Sequence, residues 1–78
     1  TTDYLITIAN RNVPGTLSHI LTLIGDAGLN VADLLNKSVG DIAYNIIDLD
    51  EVPRQTLLEE IRGLEGVINL RLIEGAPQ

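Results

Sequence analysis

Two interruptions divide the first half of this chain, and they constrain its fold more than any other feature. Asn10-Arg11-Asn12-Val13-Pro14-Gly15 ends one apolar run and starts an amphipathic one. Gly28-Leu29-Asn30 ends the amphipathic stretch and opens the next extended run. Between them Leu17, Ile20, Leu21 and Ile24 recur at helical spacing, on one face within about 100° of arc. The spacing predicts a helix over residues 13–27. Pro14 suits its first turn, where a missing N–H costs nothing. Asn12 suits its cap, and Gly28 suits a left-handed exit. Side-chain amides then flank both ends of one helix. Carboxamides donate and accept hydrogen bonds but supply neither a nucleophile nor an acid. That pattern favours a small-molecule sensing site over a catalytic centre.

The rest of the chain reads in the same way. Residues 3–9 are short and β-branched, a first strand. Residues 29–37 form a second strand, and Ser38-Val39-Gly40-Asp41 is a turn signal. Residues 42–49 form a third strand, paired with the second as a hairpin. Pro53 starts a second helix, whose apolar stripe is Leu57, Leu58, Ile61 and Leu64. Residues 67–73 alternate, with Ile68, Leu70 and Leu72 on one side, and give a fourth strand. The order is β-α-β-β-α-β, a ferredoxin-like α+β sandwich. Right-handed crossovers place both helices on one face of a four-stranded antiparallel sheet in the order 4-1-3-2. The second strand is then an edge, and an unpaired edge invites another chain.

Seventy-eight residues make a single domain over 1–78. A domain this short buries only about 60% of its unfolded surface, so a partner copy would help it. The start without Met and the loose Gly75-Ala76-Pro77-Gln78 tail are expected of a piece of a longer protein. The net charge of −6 and a pI near 4.3 argue against nucleic acid and anionic membranes as partners. No apolar run approaches the roughly 20 residues of a membrane span. The absence of cysteine removes disulfides and thiolate metal sites, and it fits a reducing cytoplasm.

Asn10, Asn12 and Asn30 are each ordinary turn and cap residues when taken singly. As a set they point to a site. Asn10 and Asn12 sit at the predicted helix start, where backbone N–H groups and the positive dipole end attract a carboxylate. Asn30 lies at the other end, roughly 22 Å away for a helix of about 15 residues. One small molecule cannot touch both ends within one chain. If two first helices run antiparallel across a two-fold axis, Asn30 of one copy lies beside Asn10 and Asn12 of the other. The geometry predicts an interface site, present twice. His19, the single histidine, falls on the solvated side of the helical wheel, and no metal site is expected. Asp48-Leu49-Asp50-Glu51 reads as a solvated strand end rather than a cation loop. Gly25, inside the first helix, is tolerated if another backbone packs closely there. Gly15, Gly25 and Gly28 lack the spacing of a dinucleotide fingerprint.

Asn12-Val13-Pro14-Gly15-Thr16-Leu17, Ile20, Leu23-Ile24 and Ala27-Gly28-Leu29-Asn30-Val31 resemble the ACT domain. Ala32-Asp33, Asn36-Lys37-Ser38 and residues 43–50 carry the likeness further. They look like the C-terminal regulatory domain of D-3-phosphoglycerate dehydrogenases. The resemblance covers Tyr4 to about Ile73. It implies an allosteric module of serine biosynthesis, with L-serine bound between two such domains. The NAD-dependent oxidoreductase chemistry would then lie elsewhere in the parent enzyme, with no catalytic residue or cofactor here. The effector-binding positions it implies are Asn10, Asn12, Val13, Pro14, Gly15, Thr16, Leu29 and Asn30, with a homodimer formed through the second-strand edge and the first helices. Asn10 departs from a form of the family that has His there.

Rival readings remain open at this point. A structural dimerisation module without an effector site is one. An acylphosphatase shares the fold, and Arg11 stands in a suitable place, but the phosphate-cradling loop before it is missing. RNA binding lacks an aromatic platform, and copper carriage lacks a Cys pair.

Overall fold

The computed structural model describes residues 4–74. The predicted start of the first strand at Asp3 and the tail at 75–78 lie outside these residues. The elements are β1 (Tyr4–Arg11), α1 (Thr16–Asp26), β2 (Val31–Val39), β3 (Ile42–Leu49), α2 (Gln55–Arg62) and β4 (Val67–Glu74). All strand pairs are antiparallel, in the order β2-β3-β1-β4, the predicted 4-1-3-2 read from the other edge.

Alternation along β1 and β3 explains the core. Ile6 and Ile8 face Ile47 and Asn45 across the pair, and all four are buried. Ile20 and Ile24 of α1, with Leu57, Leu58 and Ile61 of α2, close over that face. The opposite face leaves Leu35, Tyr44, Ile46 and Ile73 exposed. No helix among the described residues is long and apolar enough to cross a membrane.

Several boundaries differ from the sequence reading, each for a local reason. The first helix begins at Thr16, not at residue 13. Its N-cap is Gly15, with φ 91°, and no side chain bonds to the cap. Asn12 is therefore not the cap. Its backbone N–H donates to the Asp41 carbonyl at 2.8 Å and its Nδ2 to the Gly40 carbonyl at 3.2 Å. These bonds staple residue 12 to the β2–β3 turn and leave Pro14 in the turn ahead of the helix rather than in its first turn.

The predicted left-handed exit is present, with Gly28 at φ 80°. Gly28 N–H donates to the Gly25 carbonyl and Leu29 N–H to the Ile24 carbonyl, the paired bonds of a Schellman turn. That turn consumes Leu29 and Asn30, so β2 starts at Val31 rather than at 29. Similarly, α2 starts at Gln55 with Arg54 as N-cap, and Pro53 is buried just ahead of it. In β4 the expected alternation breaks at Ile68. The register shifts between Ala9 and Asn10, which pair with Asn69 and Val67, so Ile68 is the extra residue of a bulge and is 57% exposed.

Candidate functional site

The start of α1 and the end of α2 meet because β4 pairs with β1. Arg11 N–H donates to the Gly66 carbonyl at 2.7 Å. The two turns between them wall a groove of about 600 Å³. Val13, Pro14, Gly15 and Thr16 line one side of it, and Leu64, Glu65 and Gly66 the other. Only Gly readily adopts the φ of +91° that turns the chain from Pro14 into the helix.

That helix start is electrostatically open. The first N–H with a helical partner is that of His19, which donates to the Gly15 carbonyl at 2.9 Å. The N–H groups of the residues before it have no partner within a helix, and no side chain caps them. The first turn carries no acidic residue. Such an end presents partial positive charge and free donors, the requirements of a carboxylate.

The eight residues expected at the site divide between four places. Residues 13–16 are together in the groove. Asn12 is exposed beside them, with its amide turned toward Gly40. Asn10 lies inward rather than at the surface. It shares the helix-covered face of β1 with Ile6 and Ile8 and is 2% exposed. Its Oδ1 accepts from Asn45 Nδ2 at 2.6 Å, and its Nδ2 donates to the Arg11 carbonyl at 2.9 Å. Asn45 Oδ1 in turn accepts from Asn36 Nδ2 at 2.5 Å. Three amides thus bridge β1, β3 and β2 beneath the site. Asn10 supports the turn from within, its side chain closed to solvent in the single chain.

Leu29 and Asn30 lie at the far end of α1. Leu29 packs against the core and borders a separate cavity of about 280 Å³. Asn30 is exposed, and its Nδ2 donates to Asp50 Oδ2 at 2.8 Å. The helix has 11 residues rather than about 15 and is about 16 Å long rather than about 22 Å, still too long for one small molecule to touch both ends. A single copy brings Asn30 nowhere near residues 13–16.

Sequence reasoning missed Arg11, His19, Leu64, Glu65 and Gly66 as groove residues. A usable signal was present. The strand order puts the α2–β4 turn beside the β1–α1 turn, and His19 stands one turn above Gly15. His19 is exposed, as its position on the wheel implied.

Comparison with known families matches residues 4–66 to the ACT domain. Among curated proteins none matches the chain. The ACT domain from the GTP pyrophosphokinase of Chlorobium tepidum superposes on 94% of this chain and 100% of its own, with a TM-score of 0.71 at 18% identity. An ACT domain protein from Streptococcus pneumoniae does so over 95% of this chain and 90% of its own, with a TM-score of 0.73 at 18% identity. A homoserine dehydrogenase from Thiobacillus denitrificans matches 94% of this chain with a TM-score of 0.67 at 20% identity, and the match spans 17% of that enzyme. These likenesses are of fold. With the family match over residues 4–66, they make the chain a member of the ACT domain family.

Proposed function

We propose that this ACT domain is an amino-acid-sensing regulatory module whose effector sits where two copies meet. ACT domains generally bind amino acids and dimerise. The observation that carries the reading is the uncapped start of α1, open to the groove, with no acidic residue in its first turn and with Arg11 and His19 facing Glu65 around the groove. It supplies donors for the carboxylate of an amino acid. The Asn30 carbonyl of a second copy supplies an acceptor for the ammonium group. Neither half is sufficient alone, so binding favours the paired arrangement. That preference is the coupling free energy, of about 1–3 kcal/mol in typical cases, and it biases whatever domain is attached.

L-Serine is the first effector to test, and a D-3-phosphoglycerate dehydrogenase with its own NAD site is the proposed parent. The support is the sequence resemblance over residues 12–17, 27–31 and 43–50. The experiment is calorimetric titration of the chain with L-serine, glycine and other amino acids, with sizing in parallel. The expected result is L-serine binding that tightens the dimer and is lost in Asn30→Ala. No heat with any amino acid would refute it and favour a purely structural dimerisation module. One observation favours that second reading: Asn12 and Asn30 both already spend amide donors within the chain.

A further inference from the structure

The chain joins Asn30 and Asp50 twice. Asn30 precedes β2 and Asp50 follows β3, and the Val31–Leu49 register sets them opposite one another. Asp50 N–H donates to the Asn30 carbonyl at 3.3 Å, and Asn30 Nδ2 donates to Asp50 Oδ2 at 2.8 Å. A carboxylate is only an acceptor. It therefore holds the Asn30 NH2 toward itself and turns the amide oxygen away.

Acidic groups outnumber basic ones at this end of α1: Asp26, Asp50 and Glu51 lie there, with Arg54 lining the cavity beside Leu29 and Glu51. No cation pairs with Asp50 among the described residues, and both Asp50 and Asn30 are exposed. The last turn of α1, which leads to Asn30, has no basic residue and ends at Asp26. The negative end of the helix dipole points the same way. The two ends of α1 thus have opposite electrostatic character, an uncapped donor-rich start and an acidic finish.

We infer that Asp50 is the negative pole of the effector site, receiving the ammonium group beside Asn30 Oδ1 and so selecting zwitterions over amine-free acids. This rests on the proposed two-copy site, in which the acidic end of one α1 meets the open start of the other. A neutral amide by itself would accept an alcohol as readily as an amine. The added carboxylate attracts an ammonium and repels a ligand that brings only a second carboxylate. Asp50 also fixes which atom of Asn30 faces the ligand, so it positions as well as attracts.

The test uses the full chain, with L-serine and its amine-free analogue 3-hydroxypropanoate as probes. Asp50→Asn keeps an acceptor for the Asn30 amide and removes the charge. It is expected to weaken L-serine binding about fivefold, the order of an exposed ion pair. Binding of 3-hydroxypropanoate, measured by competition, is expected to hold or improve. Thermal unfolding of Asp50→Asn reports any loss of structure separately. The inference is overturned if L-serine affinity stays within twofold of wild type, or if both ligands lose affinity equally. A wild-type chain that binds no amino acid overturns the proposed function itself. A wild-type chain that binds L-serine beside an unaffected Asp50→Asn overturns only the role of Asp50.

Discussion

Removing Asn45 tests whether the amide bridge is a coupled unit. Asn45 is 1% exposed and Asn10 2%, and they share one bond of 2.6 Å. Asn45→Ala deletes that donor and strands Asn10 Oδ1 in a site closed to water. An unpaired buried acceptor costs about 1–3 kcal/mol. Loss of packing brings the expected total to about 2–4 kcal/mol. A 78-residue domain has roughly 4–12 kcal/mol in all. The substitution therefore removes a large part of the stability, and the melting midpoint should fall by about 10–25 °C. Asn10→Ala is expected to cost a similar amount, because it strands Asn45 Nδ2. The double variant strands neither group, so it should cost about 1–3 kcal/mol less than the two singles together. The assay is urea unfolding followed by circular dichroism at fixed protein concentration, since any dimerisation would link stability to concentration. Additivity within about 0.5 kcal/mol would refute the argument that these amides depend on one another.

Asn36→Ala, at the exposed edge, should cost under about 1 kcal/mol in the same urea assay, because water can replace its donor. Ile47→Ala removes a fully buried side chain from the centre of the sheet, and a loss of about 2–5 kcal/mol should appear as a lower urea midpoint. Gly15→Ala meets no atom within 4 Å, so its cost of about 1 kcal/mol is purely that of φ +91°, and a drop of about 4–8 °C in melting midpoint checks it. Gly25→Leu also enters open space and should make α1 a better helix by up to about 1 kcal/mol. If α1 helices pair across a two-fold axis, the same substitution weakens the dimer in sedimentation and abolishes L-serine binding. A more stable chain that still dimerises and binds normally would exclude that seam.

The topology was legible because each element carries its own period. The helical spacing of Leu17, Ile20, Leu21 and Ile24 and the alternation through residues 42–49 need no tertiary information. Gly28 was legible too, since a left-handed exit has few alternatives to glycine. What escaped were features set by partners distant in sequence. Asn12 was read as a cap because its neighbours are local, yet its bonds go to residues 40 and 41. Ile68 followed a perfect alternation until a register shift against β1 turned it outward. Asn10 offered the same ambiguity. A polar residue beside a turn is usually exposed, and nothing local announces Asn45 and Asn36 as partners two strands across.

The amide bridge changes what the asparagines of this chain signify. Asn10 and Asn12 are two residues apart at the end of β1, and one side chain goes to the core while the other stays at the surface. An inward Asn at that point demands matching amides on β3 and β2, and the chain supplies both. The bridge runs from under the open helix start to the free edge strand β2. A purely apolar core there would pack as well but would permit register slips, since aliphatic faces do not specify partners as hydrogen bonds do. The buried Asn10–Asn45 pair therefore ties β1 to β3, and the more exposed Asn36 extends the bridge to the edge strand β2, the edge proposed to pair with a second copy. They also hold the β1 end from which residues 13–16 emerge. If the proposed effector site and β2-edge pairing hold, one structural unit supports both, and a change that loosens Asn45 should disturb both together.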